Sequence, residues 1–189
     1  FFGKTLLDGI IHLPLVLPPV VIGYLLLVLL GRKGLIGEWL YETFNISVIF
    51  KWEGAAIASA VMGFPLLVRA IRLSLESINQ GLEKAARTLG AGPIRVFLTI
   101  TLPLISPGIL TGVILAFARS LGEFGATITF VSNIPGETRT LPLALYAFTQ
   151  VPGGDSMALR LTVISVVLAL VSLFFSELLA RRVRAKVGN

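Results

Sequence analysis

Four stretches of this chain carry no charged side chain: residues 13–30, 54–68, 102–118 and 161–176. Each approaches the roughly 20 apolar residues that an α-helix needs to cross the hydrocarbon core of a bilayer. In that medium the backbone N–H and C=O groups must be satisfied within the segment, so such runs fold as helices. Only 14% of the 189 residues are charged and 55% are hydrophobic. A soluble domain of this size would lack polar surface. The expected fold is all-α, a polytopic transmembrane helical bundle in one domain. Its spans fall near 13–30, 54–72, 103–131 and 157–180.

The runs are punctuated. Pro14, Pro18 and Pro19 lie in the first third of the first run. They remove backbone donors, which fits a helix that properly begins near Pro18 or Pro19, or a broken helix lining a pathway. His12 beside them has no second ligand residue near it and reads as an interfacial side chain. In 31–53, Trp39, Tyr41 and Trp52 suit a headgroup boundary. Leu35, Ile36, Trp39 and Leu40 give one face of a short helix lying there. Gly63 and Pro65 mark a bend in the second run. In the third, Gly108 and Gly112 permit close helix contact, a spacing that also recurs by chance in glycine-rich membrane helices. Residues 141–148 are apolar but too short to span, as in a loop helix or a re-entrant piece.

Charge gives the topology. Arg69, Arg72, Lys84, Arg87 and Arg95 lie in the second connection, and Arg181, Arg182, Arg184 and Lys186 in the tail. The connection at 132–156 carries Arg139 alone. The positive-inside rule makes the loop at 73–102 and the C-terminus cytoplasmic, with 31–53 and 132–156 outside. The net charge of +6 is therefore a topology signal, and no nucleic-acid partner is expected. Cysteine is absent, which excludes disulfides, thiolate metal sites and a cysteine nucleophile. The chain opens Phe1-Phe2-Gly3-Lys4 without Met, as expected of an N-terminally truncated chain.

Between the second and third runs lies a polar island. Leu82, Ala85, Ala86 and Leu89 share one helical face, and Glu83, Lys84, Arg87 and Thr88 the other. Gly90 stands where a helix ends in a left-handed residue, and Pro93 can open the next helix. Periodicity alone better fits an amphipathic helix on the bilayer surface. The full string, Ala85-Ala86, three residues, Gly90, nine residues, then Ile100-x-Leu102-Pro103, resembles the cytoplasmic EAA loop of ABC-importer permeases. Lys84 stands where that family usually has Glu, with Glu83 one place earlier. The resemblance implies a coupling helix seated in a cleft of a separate ATPase, with Leu82, Glu83, Ala85, Ala86, Leu89, Gly90 and Pro103 as its docking residues.

Arg119 and Glu123 interrupt the end of the third run. Four residues apart, they can pair along one helix face. About eight apolar residues follow them, so they fit a bundle interior better than snorkelling at an interface. Ala116-Phe117-Ala118-Arg119-Ser120-Leu121-Gly122-Glu123-Phe124-Gly125 and Asn133-Ile134-Pro135-Gly136-Glu137-Thr138 resemble the molybdate permeases of bacterial ABC importers. Sulfate and tungstate permeases share the Leu-Gly-Glu-Phe-Gly core.

That resemblance implies a type I importer permease fold in the bacterial inner membrane, with one further span ahead of Phe1. It also implies a homodimer, a paired ATPase that holds ATP and Mg, and an external oxyanion-binding protein. Arg119, Gly122, Glu123 and Gly125 would line or brace the translocation path. No Walker lysine motif, His-Glu-x-x-His pair or nucleophile elbow occurs, so the chain is expected to be no enzyme and to hold no cofactor itself. A sulfate or tungstate permease is the near alternative. An ion-coupled secondary transporter, which would favour internally repeated halves, and a non-transporting membrane adaptor are the distant ones.

Overall fold

The computed structural model describes residues 3–187, the side chains of Gln80 and 182–187 excepted. Those residues are helical in ten segments and one π turn. The helices are α1 Lys4–Val16, α2 Pro19–Leu30, α3 Leu35–Phe44, α4 Trp52–Glu76, α5 Gln80–Thr88 and α6 Pro93–Val96. After the π turn Phe97–Thr101 come α7 Leu102–Leu121, α8 Gly125–Val131, α9 Leu141–Thr149 and α10 Asp155–Val187. Three segments are long and apolar enough to cross a membrane: Trp52–Glu76, Pro93–Leu121 and Asp155–Arg181.

Two of the expected spans are divided. Residues 13–30 are not one rod: α1 and α2 meet at 119°. The physical reason is Leu17, which precedes Pro18 and is held extended at φ −75°, ψ 146°. Pro19 then opens α2 at its first position, where its missing N–H has no intrahelical partner to lose. Residues 103–131 are interrupted at 122–124, between α7 and α8. The helix that contains 103 begins earlier, at Pro93, and runs through the π turn. By contrast α4 stays helical through Gly63 and Pro65.

The residues form two compact units. One takes the chain up to Pro65 and Phe117–Leu170. Its core gathers Ile22 and Leu26 of α2, Ala58 and Met62 of α4, and Ala126 and Phe130 of α8. α2 and α8 lie backbone to backbone at two glycines. A Cβ on Gly23 would meet the carbonyl and Cα of Ala126 and the Cβ of Thr129 within 2.9 Å. A Cβ on Gly125 would meet Pro19 at 2.8 Å. In lipid the surroundings are as apolar as the side chains, so dense packing of this kind, more than apolar burial, holds helices together.

The other unit takes Leu66–Ala116 and the chain from Val171. Here the Gly108/Gly112 spacing is used. A Cβ on Gly108 would strike the side chain of Ser74, and one on Gly112 would crowd Leu67 and Ala70. α7 thus packs on the second half of α4 through its small face. α10, which begins in the first unit, is apolar on all sides along its middle, with a mean hydropathy of 2.4 over an 18-residue window of which 6% is buried. Its exposed Leu159, Val163, Leu173 and Phe174 suit lipid contact.

Gly23→Val therefore overpacks the α2–α8 contact and is expected to cost about 1–3 kcal/mol. The detergent-solubilised protein should melt about 2–10 °C lower. Gly9→Ala, which meets nothing within 4 Å, is the matched control and should not lower it.

Candidate functional site

The polar island folds as α5, and its ends explain its length. Asn79 caps the start: its side-chain oxygen accepts the N–H of Gly81 at 2.8 Å. At the other end Gly90 has φ +80°. The Ala91 N–H donates to the Ala86 carbonyl at 3.1 Å and the Gly90 N–H to the Arg87 carbonyl at 3.0 Å. This pair of bonds is the Schellman arrangement, which satisfies carbonyls the helix end would leave bare. A Cβ on Gly90 would meet nothing within 4 Å, so glycine is required there by backbone conformation and not by space.

The expected docking face is mostly uncovered. Leu82 and Ala85 are exposed, Ala86 is half-buried, and Leu89 is 88% exposed. Leu82 and Leu89 thus stand bare on an otherwise polar helix. Glu83 is placed differently from the others. It is half-buried, and its Oε1 accepts the hydroxyl of Thr101 at 2.6 Å. Lys84 and Arg87, with Leu75 in the last turn of α4 and Ile78 just past it, line a pocket of about 400 Å³ beside that carboxylate.

Pro103 lies inside a continuous helix just past the π turn, not at a helix start. A proline there cannot donate to the carbonyl four residues back, and a π turn is one way a helix absorbs that loss. The Leu102 N–H reaches back five residues to the Phe97 carbonyl. The next proline is handled with a hydroxyl: Ser106 donates to the Pro103 carbonyl at 2.8 Å, which Pro107 cannot reach with an N–H.

Arg119 and Glu123 do pair, but across the end of a helix and not along one face. Arg119 is in the last turn of α7, and Glu123 is in the break before α8. The Arg119 Nη1 lies 2.7 Å from Glu123 Oε2, with side chains 30% and 1% exposed. That contact is an ion pair off the line of a good hydrogen bond, since Oε2 has no hydrogen-bond partner. Oε1 accepts the Ala126 N–H at 2.8 Å. Glu123 thus sits at the start of α8, where a carboxylate satisfies free N–H groups. Ser120 ties the same corner to α4 by donating to the Ser59 carbonyl at 3.2 Å. Gly122 has open space around it, while Gly125 is pressed on Pro19. The structure therefore brings Arg119, Glu123 and Gly125 into one corner, in which Glu123 is buried, at a distance in sequence from the α5 residues.

One feature has no counterpart in the sequence reading. A cleft of about 770 Å³ is lined by Arg32, Tyr41, Asn45, Phe50, Lys51 and Glu137, among others. The Arg32 guanidinium lies 5.5 Å from the centre of the Tyr41 ring. Phe50 there has φ +58°, a conformation bulky residues rarely adopt. Its trace in the sequence is the polar composition of 31–53, Arg32 and Lys51 included.

This architecture is that of a membrane permease in which α5, a short helix outside the apolar segments, bears a bare apolar face. Residues 1–185 match the family described as "Binding-protein-dependent transport system inner membrane component", and the chain belongs to that family. It is 66% identical over 189 residues to the molybdenum transport system permease protein ModB of Escherichia coli (strain K12), covering 100% of this chain and 82% of that one. With the ModB of Haemophilus influenzae the identity is 62%, with the same coverage. With the sulfate transport system permease protein CysT of Escherichia coli (strain K12) it is 41% over 150 residues, covering 79% and 54%. The fold is shared with a bacterial ABC transporter involved in alginate import, with a TM-score of 0.70 at 20% identity, covering 96% of this chain and 68% of that one. The chain is accordingly a multi-pass inner-membrane component of a binding-protein-dependent transport system.

Arg119→Gln leaves the Glu123 carboxylate buried without its cation, which is expected to cost about 3–5 kcal/mol. Glu123→Gln keeps an oxygen for the Ala126 N–H, so adding it to Arg119→Gln should recover much of the loss. Thermal unfolding of the three variants in detergent measures this. A double variant no more stable than Arg119→Gln alone would show that the buried charge is not the cause.

Proposed function

We propose that this chain is the translocating subunit of a molybdate importer. It works as a homodimer on a pair of ATPases and is fed by an external oxyanion-binding protein. The observation that carries the coupling part is α5. It is a capped helix outside the apolar segments, ending in a left-handed glycine, with Leu82, Ala85 and Leu89 uncovered. Such a helix fills a cleft on another subunit and transmits its movement without chemistry of its own. The substrate follows from the relatives: identity is 66% to a molybdenum permease and 41% to a sulfate permease.

In this reading α5 and the C-terminus face the cytoplasm, because the basic residues gather there. ATP and Mg are held by the partner ATPase, and the chain itself hydrolyses nothing. When the ATPases close, the seated α5 helices move and α7 moves with them. Arg119 and Glu123 then brace the path from their shared corner, holding the break between α7 and α8 at a fixed angle. Gly125, pressed on Pro19, keeps that corner narrow, and Gly122 beside it leaves open space.

Two results test this. Cells lacking their own molybdate uptake should regain it when the chain is expressed with its ATPase and binding protein. Uptake should survive an uncoupler, and excess sulfate should not compete. Uptake driven by an ion gradient would overturn the reading, and equal competition by sulfate would move the substrate. Gly90→Val should lower ATPase stimulation at least about fivefold, since a β-branched residue in the left-handed region costs about 1–2 kcal/mol. Normal stimulation by that variant would remove Gly90 from the coupling element.

A further inference from the structure

α5 is joined to the helix that follows it by Gly90-Ala91-Gly92. Two glycines in three residues make a poor lever, because a link of this kind bends before it transmits force. A second tie lies at the other end of α5. Glu83 is in the first turn, and its Oε1 accepts the Thr101 hydroxyl at 2.6 Å across 18 residues of sequence. Thr101 is 7% exposed, so the bond is shielded on the threonine side. A hydrogen bond to a charged acceptor is about twice as strong as a neutral one.

Thr101 is also the last residue of the π turn. A π turn adds one residue to a helix, and one residue is roughly 100° of rotation. It therefore sets which face of the helix Thr101 occupies relative to α5. The helical rod from Pro93 to Leu121 is thus held to α5 at two separated points, the glycine turn and this bond. Two points prevent the swivel that one would allow.

We infer that the Glu83–Thr101 hydrogen bond is the positioning contact that makes α5 and the rod Pro93–Leu121 move as one body, and so fixes how much anion is moved per ATP hydrolysed. The inference rests on the coupling role proposed for α5. It gives Glu83 an internal role as a strut, separate from the bare Leu82, Ala85 and Leu89 that meet the partner.

The test uses the whole complex, this chain with its ATPase and binding protein, in proteoliposomes. Uptake of labelled molybdate and ATP hydrolysis are measured separately. Thr101→Val should leave assembly and ATP hydrolysis in place and lower molybdate moved per ATP about three- to tenfold. Thr101→Ser, which restores the hydroxyl, should restore the ratio. Glu83→Ala should lower the same ratio, and in that ratio the double variant should be no worse than either single one. Glu83→Gln keeps an acceptor oxygen and should retain most of the ratio.

An unchanged ratio in Thr101→Val overturns the inference. So does loss of the ratio in Glu83→Gln with none in Thr101→Val, which would mean the carboxylate acts by charge on the ATPase. A fall in Thr101→Val that Thr101→Ser does not reverse would assign the effect to packing and would also overturn it. If the unsubstituted complex moves no molybdate with ATP, the importer reading itself fails, a result distinct from all of these.

Discussion

A backbone N–H or C=O buried in hydrocarbon without a partner costs several kcal/mol, and the chain's geometry follows from where it meets that demand. Unbroken helix meets it automatically, as along α4 and α10. At each interruption another group takes over. Leu17 turns extended ahead of Pro18 while its N–H still reaches the Leu13 carbonyl. Ser106 serves the carbonyl that Pro107 cannot. At the break between α7 and α8 the group is Glu123, whose carboxylate takes the Ala126 N–H and is held by Arg119. The polar residues within apolar stretches are therefore where the path of the chain is decided. The same logic accounts for the glycines: Gly23, Gly108, Gly112 and Gly125 let backbones approach where lipid offers no hydrophobic drive for association.

Outside the bilayer the rules differ. α5 is short and polar on one side, so it depends on its caps, Asn79 at the start and the Gly90 turn at the end. Among the described residues little covers its apolar side: Leu82, Ala85 and Leu89 are exposed and Ala86 is half-buried. A subunit that receives work from a partner needs both properties, a stiff element and a face kept for someone else. Glu83 belongs to neither cap nor face. It points back into its own chain, toward Thr101.

Much of this was legible from the residues. The charge-free runs gave the helices of α4, α7 and α10, because only a helix satisfies such a backbone in lipid. The helical spacing of Leu82, Ala85, Ala86 and Leu89, with Gly90 after it, gave α5 and its left-handed end. Composition did not give the 119° turn between α1 and α2, since prolines inside an apolar run fit either a helix start or a break. It also did not give the partner of Glu83. That bond joins residues 18 apart through a π turn, and no local pattern encodes which face a π turn presents. Arg119 and Glu123 were visible as a pair, but i, i+4 spacing suggested one helix face. Capping of α8 by Glu123, which ends the helix between them, depends on tertiary packing. Asn79 was within reach as a capping residue just ahead of the periodic stretch.

In the proposed importer α5 sits on the cytoplasmic side, in a cleft of an ATPase. The chain has no cysteine, so a single Leu89→Cys variant reports from one known place without background. Labelled with a membrane-impermeant maleimide, it should react in inverted vesicles stripped of the ATPase and not in intact spheroplasts. With the ATPase present it should be protected, and a short thiol cross-linker should join the two subunits in an ATP-dependent yield. Labelling from outside, or no cross-link to any nucleotide-hydrolysing subunit, would contradict the account.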